Sequence, residues 1–250
     1  MPCRCDIGLS LHSGSRPLFF NNPSSREPFL PYPDQPSLSK STLETTTTES
    51  RYSSDIFLHD IDEELARAWR VMAEFCLVIN HAAETKHRIA TETFLDTMAS
   101  IIYRLLNMTR FEAGSIEEAI RLGLLAFSSS VLLQWKQPGM SYDHLATTYR
   151  DCLAKLKCSA IPSRLWIWLL VVGAVSVFGH ADDKWLKPWL HVHIDLAEVA
   201  SWTDMQDILK SLMWIGLVLD KPGKDVFDST IVYGLVTPPL DHLPVSIGSL

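Results

Sequence analysis

Two histidines two residues apart, His191-Val-His193, with His180 and Asp195 nearby in the chain, are the residues best suited by type to hold a metal. Zinc needs three or four ligands converging on one point from correctly spaced elements. Residues two apart on a helix face different directions, so the spacing favours surface or half-buried histidines over a metal centre. Cys3 and Cys5 are also ligand types, but no further cysteine follows within reach. Cys76, Cys152 and Cys158 fall on helical stripes and read as small core residues. Ser176 lies in Gly173-Ala-Val-Ser176-Val-Phe-Gly179, which lacks the glycines two residues either side that a nucleophile elbow requires. The small residues there instead suit a close approach of neighbouring helices. The carboxylate pairs Glu63-Glu64, Glu117-Glu118 and Asp182-Asp183 fall in first helical turns, where negative charge suits the helix dipole. Neither common phosphate-cradling glycine loop is present. No catalytic, cofactor-binding or metal residue is nominated, and no cofactor is expected. Trp166, Trp168, Trp185, Trp189, Trp202 and Trp214 could line a ligand pocket, although aromatics at helical spacing more often fill a core.

The element that must organise all of these is the run from Ile161 to Gly179. From Leu165 to Phe178 it carries no charged side chain, and Arg164 and the cluster His180, Asp182, Asp183 and Lys184 bound it. A membrane helix wants about 20 apolar residues, while a run of about 10–14 reads as a buried core helix. The remaining sequence supplies the material to bury it. Ile61, Leu65, Trp69, Met72, Phe75, Cys76 and Ile79 recur at steps of three and four, one stripe of an amphipathic helix. Phe94, Met98, Ile101, Ile102 and Leu105 form a second. A capping box, Ser115-Ile-Glu-Glu118, opens a third through Ile120, Leu124, Phe127, Val131 and Leu132, ending before Pro138-Gly139. A fourth starts near Ser141 and carries Leu145, Tyr149, Cys152, Leu153 and Leu156, up to Pro162. Beyond Gly179 the pattern predicts a helix that breaks and restarts at Pro188. Another opens at the box Thr203-Asp-Met-Gln206 and runs through Ile215. A turn is predicted at Asp220-Lys-Pro-Gly223, and then a short helix from Lys224 to about Tyr233.

No run alternates polar and apolar residues as a strand would, so the expected fold is all-α, a multi-helix bundle around the central apolar helix at 161–179. Residues 1–54, rich in Pro, Ser and Thr, bury too little apolar surface to offset their ordering entropy and read as a disordered tail. Residues 55–235 form the expected helical domain, and 236–250 an extended C-terminal tail. At 47% hydrophobic, the 250-residue chain has ample material for a core. Its formal net charge of −7 speaks against a broad phosphate-binding face. Five cysteines without framework spacing suit a reducing compartment. The first residues, Met1-Pro-Cys-Arg-Cys-Asp-Ile7, lack the apolar stretch of a secretory signal.

Three segments, in order, carry a family resemblance. Ser115-Ile-Glu-Glu-Ala-Ile-Arg-Leu-Gly-Leu-Leu-Ala-Phe127 resembles the arginine-bearing helix of the fungal-specific transcription factor domain. Arg164-Leu-Trp-Ile-Trp-Leu-Leu-Val-Val-Gly-Ala-Val-Ser176 is similar to that domain's tryptophan-rich central helix. Leu209-Lys-Ser-Leu-Met-Trp-Ile-Gly-Leu-Val-Leu-Asp-Lys-Pro-Gly-Lys-Asp-Val-Phe227 resembles its closing segment, with Gly216 and Leu219 where the family often carries a polar residue and a histidine. The resemblance implies a non-enzymatic, nuclear or nucleocytoplasmic regulatory domain. Its partner would be a related regulator in a homo- or heterodimer, with a small-molecule effector unnamed. In that family the domain follows a six-cysteine zinc cluster; Cys3 and Cys5 cannot supply one, so no direct nucleic-acid binding is expected. Two alternatives stay open: a membrane-associated helical protein anchored by 165–179, and a helical enzyme of unassigned chemistry.

Overall fold

The computed structural model describes residues 2–18, 57–86, 88–132, 142–156 and 161–236. Among them the chain forms nine α-helices, with no strand. These are α1 (Pro2–Ser13), α2 (Glu63–Thr85), α3 (Thr91–Asn107), α4 (Ile116–Leu132), α5 (Asp143–Lys155), α6 (Ser163–Ser176), α7 (Asp183–Leu196), α8 (Trp202–Leu212) and α9 (Gly216–Val236). The all-α bundle expected from the hydrophobic period is therefore the observed architecture.

The central helix is α6. Every residue from Leu165 to Gly173 is buried, so the rod has no polar face to offer water. Four helices close around it: α4, α7, α8 and α9. Two hydrogen bonds tie it to neighbouring elements, the second of them from α5. Trp168 Nε1 donates to Met213 O at 2.7 Å, and the Tyr149 hydroxyl donates to Leu169 O at 2.8 Å. α4 lies against α6 at Gly123, where an added Cβ would stand 2.9 Å from Trp168 Cζ3 and from Leu169 Cδ2. The absent side chain is what lets these two helices approach so closely. The expected end of the rod at Gly179 is corrected. The helix stops at Ser176, and the amides of Val177 and Phe178 both return to Gly173 O. The Phe178 ring folds onto Gly173, while Gly179 is ordinary extended backbone. A ring packed on a glycine, rather than a left-handed glycine cap, terminates it.

The other helices follow their apolar stripes. Asp62 caps α2 by accepting from Glu64 N at 3.0 Å and Leu65 N at 3.1 Å, and Leu65, Trp69, Met72, Phe75 and Cys76 face inward. Ser115 caps α4 through Glu118 N, but only half of the predicted box forms, because the Glu118 carboxylate turns to Arg121. The box at α8 sits two residues earlier than predicted. Ser201 and Asp204 exchange the reciprocal bonds, at 3.3 Å to Asp204 N and 2.8 Å from Ser201 N. Two predicted breaks are absent: α7 is continuous through Pro188 and α9 through Pro222. At α9 the reason is visible. Asp220 accepts from Trp214 Nε1 at 2.9 Å and Gln206 Nε2 at 2.8 Å, and Gly223 lies under the Trp202 and Trp214 indoles. Tertiary anchoring outweighs the local turn preference.

Of the tail expected over 1–54, residues 2–18 are described, and there the expectation is corrected. Residues Pro2–Ser13 are helical, and Ile7 and Leu11 join the common core. The Pro, Ser and Thr enrichment that suggested disorder over 1–54 is concentrated after residue 20, so the average concealed a short helix. Residues 19–56 and the C-terminal segment 237–250 lie outside the described residues, as does the predicted end of α4 at Pro138-Gly139.

Gly123→Ala tests the close packing. In a helix interior the change ordinarily stabilises by roughly 0.5–1 kcal/mol. Here steric crowding should reverse the sign, with a loss of about 1–3 kcal/mol in urea unfolding. A stabilised variant would show that α4 and α6 have room to spare.

Candidate functional site

The four residues best suited to a metal do not converge on one point. His193 on α7 is buried, its ring stacked on Trp166 with centroids 5.1 Å apart and planes 9° apart. His191 points elsewhere: its Nδ1 lies 3.1 Å from Asp195 Oδ2, and its ring rests on the backbone of α9 at Gly234. His180 is fully exposed, 3.9 Å from Asp183 Oδ2. Among the described residues no group of three or more His, Cys, Asp or Glu is placed to hold a metal ion. Ser176 Oγ donates to Val172 O, a local bond within α6. Burial pushes the Cys76 thiol far up and the Cys152 thiol up to about 11, so both stay protonated and unreactive. Cys5 is exposed; Cys158 and the side chain of Cys3 lie outside the described residues.

The six tryptophans divide into two sets. Trp166, Trp168 and Trp214 are wholly buried, whereas Trp185, Trp189 and Trp202 are partly buried and pack against the core. Trp166 packs against both Trp189, at 5.3 Å between centroids, and His193. In this aromatic cluster between α6 and α7, Trp166 Nε1 and His193 Nδ1 are buried without a protein partner. Desolvation pushes the His193 imidazole down to about 4, so it is neutral near pH 7. The ring is held in place by stacking on Trp166.

The charged residues buried in the bundle serve as connectors, a role the sequence reading assigned to none of them. Glu118 grips Arg121 through two 2.6 Å bonds, and Arg121 Nη1 donates at 3.1 Å to Leu105 O near the end of α3. Asp182 collects Arg150 Nε at 2.6 Å, Gly179 N at 2.9 Å and Trp185 Nε1 at 3.0 Å, tying α5 to the start of α7. Burial opposes its ionisation, but these donors, led by Arg150, outweigh it and hold the carboxyl below its ordinary range. Asp62 is lowered likewise by Arg110 and its two cap amides against its own desolvation. The helix-dipole explanation is thus incomplete for Glu118 and Asp182. The Glu118/Arg121 spacing of three was a usable signal; the Arg150–Asp182 pairing, between distant segments, left none. Asn80 on α2 clamps the junction between α8 and α9, donating to Trp214 O at 2.7 Å and accepting from Gly216 N at 3.1 Å.

Among the described residues no helix is long and apolar enough to cross a membrane. Compared with models of known families, with curated proteins and with solved structures, the chain matches none of them.

His193 gives the site a definite acid response. Its unfolded value is near 6.5 and its folded value about 4. Between those limits the unfolded chain binds a proton that the folded chain excludes, so stability falls as pH drops from about 6.5 to 4. The loss should reach about 3 kcal/mol at pH 4. The carboxylates Asp62 and Asp182, depressed in the fold, act lower, as pH falls through their ordinary range near 3.9 and beyond. Urea midpoints across this range should decline for the native chain and stay flatter for His193→Phe. Equal slopes would assign the effect to other groups.

Proposed function

We propose that this chain is a non-enzymatic regulatory and interaction domain of the fungal transcription-factor type, acting in the nucleus without a zinc-cluster DNA-binding module of its own. One observation carries the reading. The segments bearing the resemblance lie on α4, on α6 and across α8–α9, and both α4 and the α8–α9 pair pack directly on α6. Gly123 of the first segment meets Trp168 and Leu169 of the second, and Trp168 donates to Met213 of the third. Three patterns that are separate in sequence thus make one mechanical unit, as parts of a single domain should. The interior polar groups support the same reading, since Arg121, gripped by Glu118, bonds Leu105 O of α3, and Asp182 and Asn80 each join separate helices.

In this role the bundle is the element with two states. A partner regulator in a homo- or heterodimer, or a small-molecule effector, would bias it by binding one state better than the other. The output would be masking or exposure of surface for the transcription machinery.

The test joins the full chain to an unrelated DNA-binding module. Reporter transcription should change several-fold relative to that module alone, whereas the chain by itself should give no sequence-selective mobility shift at sub-micromolar concentration. A reporter that does not respond, or a selective shift by the chain alone, would defeat the proposal.

A further inference from the structure

Six large apolar side chains among the described residues stand exposed, and three of them lie on α9. Leu217 is 78% exposed, Val232 58% and Leu235 82%. The helix turns Leu219, Gly223, Phe227 and Thr230 inward, and it packs on α6, α7, α8 and α2. Its exposed positions recur at steps of three and four, so they fall on one side. From the first turn onward Leu217 is followed by Lys221 and Lys224, then by Asp225 and Asp228, then by Val232 and Leu235. The stripe is apolar at both ends, basic in its first half and acidic in its second.

The order of charge is informative. In a lone helix a base four residues ahead of an acid is the weaker arrangement, and acids are favoured nearer the N-terminus. Lys224 and Asp228 hold that weaker order, paired at 2.5 Å with each side chain 52% exposed. Helix stability therefore does not account for the stripe. It is matched instead to its own reverse. Leu217 and Leu235 lie equally far from Val226 along the chain, and so do Lys224 and Asp228. An antiparallel copy of α9 would lay leucine against leucine and lysine against aspartate, each contact occurring twice. A parallel copy would set lysine against lysine and aspartate against aspartate.

We propose that the outer stripe of α9 is a self-association surface, occupied by the same stripe of a second copy running antiparallel. One patch serves both protomers, so the contact closes as a dimer rather than growing into a filament. The apolar ends supply burial, and the charged centre sets direction and register. From Leu217 to Leu235 the stripe is about 27 Å long. A single helix pair of that length falls short of the roughly 1,200 Å² of a standard interface. The dimer is therefore weak, dissociating on the order of tens of micromolar or above. The pairing is a property of α9 alone, so its failure would leave the transcriptional reading to its own reporter test.

Sedimentation of the full chain over a wide concentration range should show a reversible equilibrium between monomer and dimer. Lys224→Asp sets acid against the partner's acid at two symmetric places and should weaken the dimer about three- to tenfold. Asp228→Lys, which sets base against base, should do the same. An equimolar mixture of these two variants should regain the affinity of the unmodified chain, because each then meets the opposite charge. Leu235→Asp removes an apolar contact at both ends and should weaken the dimer by at least ~10-fold. All three positions are exposed, so the urea midpoint should hardly move. A chain that stays monomeric throughout would overturn the proposal. So would single variants that associate as tightly as the unmodified chain, or a mixture no tighter than its components.

Discussion

A helix that is apolar around its whole circumference leaves no side that can face water, and α6 is such a helix. An ordinary surface helix needs one packed face; this one needs a complete enclosure. That requirement explains why α4, α7, α8 and α9 all converge on it, and why nearly every face of α4 is itself buried. Removing any one wall would expose a strip of Leu, Ile, Val and Trp at roughly 25 cal/mol per Å². The stability of the bundle is therefore collective, and it belongs to the enclosure more than to any helix.

Polar groups inside such an enclosure are tolerated only where they find partners. The pattern here is that they bind across elements. Trp168 reaches the end of α8, Tyr149 reaches a carbonyl of α6, and Asn80 holds the entrance of α9 from α2. Asp182 joins α5 to α7 through Arg150, its backbone loop and an indole. Each bond adds modest net stability but leaves a costly vacancy if one side is lost. They specify which helix lies where, a matter on which apolar surfaces alone are indifferent. Trp69 Nε1, Ser128 Oγ, Trp166 Nε1 and His193 Nδ1 are among the buried atoms that depart from this rule, the last two where three aromatic rings meet.

Much of the fold was legible in the chain because burial writes a period. The stripe Leu65, Trp69, Met72, Phe75 and Cys76 and the uninterrupted run of α6 translate directly into helices. What was illegible has a common cause: long-range packing overrode a local signal. Pro222 and Gly223 spell a turn, yet two indoles and the anchors of Asp220 keep α9 whole. Gly179 looks like a helix stop, yet Phe178 folding onto Gly173 does the stopping. α1 went unread because what it packs on is far away in sequence, with the Tyr103 hydroxyl bonded to Asp6 and the His144 ring against Gly14. At the candidate site, the Arg150–Asp182 link was not foreseeable, since charge pairs between distant segments carry no periodic mark.

The uniform greasiness of α6 has a further mechanical meaning. With no polar side to define up from down, the roll of this rod about its own axis is set by steric volume: two indoles, the notch left by Gly123, and the tether from Trp168 to Met213. Four helices bear on it at once. It is in effect a common shaft, and the positions of α4 and α9 are both referred to it.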